Sequence, residues 1–162
     1  KSFIYFVNSM PNDKVIGLLS SIDKEFLIVS KYGKGFISNT DSLITNQKKG
    51  KQLFNLKNKD EVIKVLNLRK KYIVCVTNLQ KMLIFKLDVL PNLQKGGGVQ
   101  LIKIKKDDSL SDVTQLNIED GLEWYTGSKN RKLEDVKFWI GKRAQTGKKV
   151  PKFFNKNQKF YL

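Results

Sequence analysis

The feature that most restricts what this chain can fold into is an internal repeat. Ile28-Val29-Ser30-Lys31-Tyr32-Gly33-Lys34 aligns with Cys75-Val76-Thr77-Asn78-Leu79-Gln80-Lys81, so Lys34 falls on Lys81 at a shift of 47 positions. The same shift carries Asp41 onto Asp88, Leu43 onto Leu90, Gln47 onto Gln94 and Lys48 onto Lys95. Backwards, it links Asp13, Val15 and Ile16 with Asp60, Val62 and Ile63. One inserted residue then makes the shift 48, and Gln52-Leu53, Leu56, Asp60 and Val65 match Gln100-Leu101, Ile104, Asp108 and Val113. A period of this size is the signature of an array of small supersecondary units. The matches define units at about 13–56, 60–104 and 108–162, with Phe3–Asn8 expected to be the last strand of a preceding unit.

Each unit reads as four short strands. In the second they are Val62–Asn67, Tyr72–Thr77, Lys81–Lys86 and Gln100–Ile104, rich in Val, Ile, Leu, Phe and Tyr and broken by Asn, Asp, Gly and Lys. Alternation puts Ile73 and Cys75 on one face and Tyr72, Val74 and Val76 on the other. Both faces are apolar, so both must be covered. A propeller-like ring of stacked blades supplies that cover, and a four-stranded repeat of this length is propeller-sized. The predicted fold is therefore all-β: a propeller-like pinwheel of four-stranded blades, about three units visible, open or truncated. Three unrelated hairpins in a β-sandwich is the bland alternative, but a sandwich needs no such period. The third unit is stretched, and Gln158–Leu162 is assigned to its closing-strand slot. Short helical turns are expected at 40–44, with Thr40 as N-cap, at 88–90, and within 135–144.

Of 162 residues, 31 are Lys or Arg against 15 Asp or Glu, a net charge of +16. Such an excess points to a polyanionic partner, since neutralising phosphates releases counterions. Codon bias is the competing explanation: only Arg69, Arg131 and Arg143 are arginines, which suits an AT-rich genome. Bias accounts for Lys over Arg but not for the deficit of acid. There is no histidine and a single cysteine, Cys75, set in an apolar strand pattern. That excludes an internal disulfide, fits a reducing cytoplasm, and makes the thiol a small hydrophobe rather than a nucleophile. No stretch approaches the roughly 20 apolar residues that span a bilayer. The chain starts at Lys1, directly in an apolar run, which reads as an internal fragment.

Three stretches carry a family resemblance. They are Lys31-Tyr32-Gly33-Lys34-Gly35-Phe36 with Asn46-Gln47-Lys48-Lys49-Gly50-Lys51, the run Thr77–Phe85 continuing through Asp88-Val89-Leu90-Pro91-Asn92-Leu93-Gln94-Lys95-Gly96-Gly97-Gly98 to Ile104, and Trp139-Ile140-Gly141-Lys142-Arg143-Ala144 with Gly147 and Pro151. Together they resemble the C-terminal β-pinwheel of bacterial topoisomerase IV A subunits, and of the paralogous gyrase A subunits. Gyrase A subunits carry a box, Q-R-R-G-G-K-G, that underlies DNA wrapping. Here Gln47-Lys48-Lys49-Gly50-Lys51-Gln52-Leu53 keeps its start and loses its end, which is similar to topoisomerase IV.

The resemblance implies sequence-tolerant duplex DNA binding in support of ATP-dependent decatenation, relaxation and chromosome segregation by a cytoplasmic, nucleoid-associated enzyme. In that enzyme two A subunits and two B subunits of topoisomerase IV form a heterotetramer. Catalysis by paired tyrosines, with Mg2+ and ATP, belongs to other regions, so no cofactor or metal is expected here. Tyr5, Tyr32, Tyr72, Tyr125 and Tyr161 lack the arginine and acidic cluster that the catalytic tyrosine needs. The candidate DNA-binding residues are Lys31, Lys34, Lys48, Lys49, Lys51, Lys70, Lys71, Lys81, Lys95, Arg131, Lys142 and Arg143, with Lys129 beside them. For any one lysine a solvated surface charge is the simpler reading; recurrence at matched positions singles out the set. Glycines at 50 and 96–98 let the backbone approach a phosphate. Asp41 and Asp88 are assigned to turns, and Trp124 and Trp139 to the core. The alternatives are a gyrase-type wrapping domain, a WD- or kelch-like protein-interaction propeller, whose signatures are absent, and a basic RNA-binding barrel, which the period disfavours.

Overall fold

The computed structural model describes residues 13–20, 22–47, 49–57 and 59–161. The strand expected at Phe3–Asn8 lies outside the described residues, as do Lys48 and Leu162. Ten strands are described: β1 (Glu25–Ser30), β2 (Lys34–Asn39), β3 (Val62–Asn67), β4 (Tyr72–Thr77), β5 (Lys81–Lys86), β6 (Val99–Gln100), β7 (Leu110–Leu116), β8 (Leu122–Thr126), β9 (Lys129–Leu133) and β10 (Lys148–Lys149). They form two antiparallel four-stranded sheets, β3-β1-β2-β6 and β10-β5-β4-β7, and a two-stranded sheet, β8-β9.

The blades are built differently from the expected scheme. The four strands of the second unit do not pair with one another. β4 and β5 form a hairpin, while β3 pairs with β1 and β6 with β2 of the preceding sheet. Each complete blade is thus the hairpin of one unit plus two strands lent by the next. β7 and β10 complete the second blade in the same way. A repeat fixes the period but not the phase, so the sequence carries the strands without their partners. The last strand is also shorter than expected: pairing stops at Gln100, after which Leu101 turns inward, donating its N–H to Gly33 O at 2.7 Å.

Two further expectations are corrected at the chain's end. The closing place in the second blade is taken by β10, not by Gln158–Leu162. Phe160 O instead accepts from Tyr125 N on β8 at 2.9 Å, the place that Glu61 O takes beside Lys31 N (2.8 Å) and Ser109 O beside Asn78 N (2.9 Å). Residues 158–161 therefore flank the third hairpin on the side of the lent first strand. Within 135–144 only Lys137–Trp139 is helical, a 3-10 turn, because Ile140 is drawn into a bridge with Ile84 of β5. At Thr40–Leu43 the cap is Asn39, whose side chain accepts from Asp41 N at 2.9 Å; Thr40 Oγ1 instead donates to Lys24 O.

The alternation of β4 does place two apolar faces. Ile73 and Cys75 meet Leu27, Val29 and Ile37 in a core between the first and second sheets. Val74 and Val76 meet Leu122, Trp124, Phe154 and Phe160 in a core between the second and third. A third cluster covers the outer face of the first sheet, Phe26, Ile28 and Phe36 against Leu53 and Phe54. The sheets are stacked blade on blade.

Candidate nucleic-acid interface

The basic, glycine-bearing segments surface along the outer edge of each four-stranded sheet. In the first blade, residues 91–93 run beside β2, with Ile37 N donating to Pro91 O (3.0 Å) and Leu93 N to Ile37 O (2.8 Å). In the second, Gly141 N donates to Ile84 O at 2.9 Å, and Ile84 is the repeat equivalent of Ile37. From these anchors the chain leaves the edge in a loop, 94–98 or 142–147, and returns through a glycine. A Cβ on Gly98, which has φ +66, would stand 2.9 Å from Gly35 O. One on Gly147 would stand 2.7 Å from Met82 O, and Met82 is the equivalent of Gly35. Only glycine allows the backbone that close.

A second recurring link joins successive edge loops. Gly96 N donates to Leu53 O (3.1 Å) and Asn55 N to Gly96 O (2.7 Å). One unit later, Ala144 N donates to Leu101 O (2.8 Å) and Lys103 N to Gln145 O (3.0 Å). The chain that follows loop 47–51 is in this way tied to loop 94–98, and the chain that follows loop 94–98 to loop 142–147. Lys49, Lys95 and Lys142 are exposed on these loops. Lys51 Nζ donates to Ser42 O (2.8 Å), and Arg143 Nη1 to Gln100 O (2.6 Å).

The charge around the loops is one-signed. Residues 42–59, 89–106 and 136–162 contain no Asp or Glu at all. The tip-clamping acids lie inside the fold's own bonding. Asp60 binds Ser30 Oγ and Tyr32 N, and its equivalent Asp108 binds Leu79 N and Ser109 N, each holding a hairpin tip. Acid-free runs in register with the repeat are a signal the sequence holds, and with them Lys103, Lys105, Lys106, Lys148, Lys149, Lys152 and Lys156 join the exposed cations.

The structure divides the candidate residues. Lys49, Lys51, Lys95, Lys142 and Arg143 sit on or beside the edge loops. Lys34 and Lys81 stand one strand in from the edge; Lys34 is opposite Gln100, and Lys81 directly opposite Lys149. Lys31 is at the first hairpin tip, 3.3 Å from Glu61. Lys70 and Lys71 lie at the far end of the blade from the tips, Lys70 within 3.8 Å of Asp120. Arg131, on β9, stands 5.6 Å over the Phe153 ring. Lys48 is outside the described residues.

The remaining polar singletons have structural partners. Cys75 is fully buried, and desolvation, with Asp112 nearby, pushes its thiol well above the usual range. Asp23 raises the Arg69 guanidinium further by hydrogen bond and charge. Trp124 is 3% exposed and donates to Phe153 O; Trp139, half-buried, donates to Lys149 O. Asp41 and Asp88 lie in 3-10 turns. Among the described residues there is no group of three or more His, Cys, Asp or Glu side chains placed to hold a metal, and no helix long and apolar enough to cross a membrane.

The model of one family, the DNA gyrase C-terminal domain, a beta-propeller, matches residues 24–69 and 71–117. Each match spans a hairpin and the first strand it receives from the next unit, β1 to β3 in one and β4, β5 and β7 in the other, and the second also takes in β6 of the first blade. The chain belongs to the DNA gyrase C-terminal domain family. Among its relatives are the DNA topoisomerase 4 A subunits of Rickettsia bellii, 35% identical over 149 residues, and of Caulobacter vibrioides, 34% identical over 135. These alignments take in 92% and 83% of this chain but 20% and 18% of the relatives, so the chain spans about a fifth of their length. The E. coli ParC C-terminal domain superposes with a TM-score of 0.77 at 24% identity, covering 93% of this chain and 65% of that one. A DNA gyrase A C-terminal domain superposes at 0.63 and 19% identity, covering 94% and 54%. Among the described residues, the blades form an open stack, not a closed sheet.

Proposed function

We propose that this chain is a single duplex-DNA-binding domain of a topoisomerase IV A subunit, holding DNA along the edge loops of its blades. The observation that carries the reading is the recurrence of three acid-free, Gly/Lys loops, the second and third bonded to equivalent positions of successive blades. Lysines there contact phosphate oxygens, and backbone N–H groups freed by glycine add to them. Nothing in such contacts reads base edges, so binding is sequence-tolerant. In the parent enzyme, the domain supports ATP-dependent decatenation and relaxation, hence chromosome segregation in the bacterial cytoplasm. The B subunit supplies ATP hydrolysis, and the catalytic tyrosine and Mg2+ lie outside this chain. The shortened box at Gln47–Leu53 favours relaxation over gyrase-type wrapping.

If the edge loops neutralise about five phosphates, they contribute a slope of about −4 to −5 in log affinity against log salt. Anisotropy titrations of a labelled duplex across salt concentrations measure this, and a flat dependence refutes the reading. Reversing Lys49, Lys95 and Lys142 to Glu is expected to weaken binding at least tenfold, with circular dichroism unchanged. Incubated with supercoiled plasmid, ATP and Mg2+, the chain alone is expected to leave topology unaltered.

A further inference from the structure

We infer that a second row of cations, on the hairpin-tip end of the blades, grips the other strand of the duplex held by the edge loops; this rests on the reading just given. Beyond each edge strand, the chain crosses to the tip of the neighbouring hairpin and forms one wall of a cleft there. The first cleft, about 440 Å³, has Lys103, Lys105 and Lys106 against Tyr32. The second, about 460 Å³, has Lys149, Lys152 and Lys156 against Gln80. Tyr32 and Gln80 belong to equivalent two-strand turns; Lys103, Lys105 and Lys106 follow the edge strand β6, and Lys149 ends the edge strand β10 with Lys152 and Lys156 following it.

The six lysines are exposed, and none takes part in a salt bridge among the described residues. The acid that lines the first cleft, Asp108, is buried and spent on Leu79 N and Ser109 N. Asp107, next to Lys106, and Glu61, paired with Lys31 at the first tip, are exposed carboxylates on this side, and no acid lines the second cleft. β10 also sets Lys149 directly opposite Lys81. Like charges directly opposed across strands destabilise a sheet, and a phosphate between them removes that penalty.

The spacing suits a duplex. Edge loops are anchored level with Gly35–Ile37, and the tip is at Lys31–Gly33. Four residues of strand separate the two levels, about 13 Å at ~3.3 Å per residue. That is close to the width of the B-DNA major groove, about 12 Å. Both rows advance by one blade per repeat, so they run side by side along the stack. Each follows one strand of the same duplex.

The test is the four-fold variant K103E/K106E/K152E/K156E, titrated with a 20-base-pair duplex and with one of its single strands. With both rows engaged, the unaltered chain is expected to show a duplex slope near −8, steeper than the edge loops alone supply, and to bind duplex about tenfold or more tighter than single strand. The variant is expected to lose about 3 to 4 from that slope and most of the duplex preference, with its melting temperature unchanged. A starting slope of −4 to −5 that the variant leaves untouched, with duplex preference intact, overturns the second row and keeps the edge loops. A flat slope in the unaltered chain overturns both.

Discussion

Asp112 shows how much of the fold hangs on single buried groups. Its carboxylate accepts from Lys64 Nζ at 2.6 Å, from Val113 N, and from Phe160 N at 3.0 Å. One side chain therefore joins β3 of the first sheet, β7 of the second and the terminal segment beside β8. It is 7% exposed, and removing one partner of such a pair leaves the other desolvated without its counterpart. Asp112→Ala is expected to cost about 3 kcal/mol, read from urea denaturation, with little change in DNA affinity at low denaturant. Asp60 and Asp108 recur in the repeat and look from sequence like further acidic positions. Their tip-clamping bonds are what exempt them from the charge field of the interface.

At the level of strands, the informative pair is β5 and β10. Lys149→Gln removes the repulsion facing Lys81, and a stability gain of a few tenths of a kcal/mol, about 0.3 to 0.5, is expected by thermal melting. The same substitution is expected to weaken duplex binding, so stability and affinity move in opposite senses. The strands themselves are legible: the hairpin of Tyr72–Thr77 and Lys81–Lys86 and the apolar alternation of Ile73, Val74, Cys75 and Val76 stand in the sequence as they stand in the sheet. What is not legible is partnership, since β3 and β6 belong by position to the second unit and by hydrogen bonding to the first blade. The edge lysines are visible through recurrence of Lys48 onto Lys95. Of Lys103–Lys106 and Lys149–Lys156, only Lys105 has a lysine, Lys57, at the shift of 48; the missing acids mark the rest. Lys70 and Lys71 read as loop lysines like the rest, because sequence spacing does not tell one end of a strand from the other.

On the scale of the whole molecule, the two inter-sheet cores make the stack cooperative, and Cys75 lies in the first of them. Its thiol is buried and held protonated by desolvation, so a thiol reagent reaches it only when the blades part. Duplex DNA that binds the stacked form alone is expected to slow labelling about a hundredfold at a hundred times its Kd, equivalent to ~2.7 kcal/mol. Unchanged labelling with DNA bound would mean that the interface does not depend on stacking.

Because every complete blade borrows two strands from the unit after it, the units overlap like roof tiles rather than abut like bricks. Adding or deleting one repeat at its sequence boundary preserves the overlap everywhere except at the ends, where a hairpin is left waiting for its neighbour's strands. Beside β8 and β9, among the described residues, Phe160 O accepts from Tyr125 N where a lent strand runs in the other blades. A stack of this kind lengthens by duplication without redesigning any interior joint, and the cost of each change in length falls on its last hairpin.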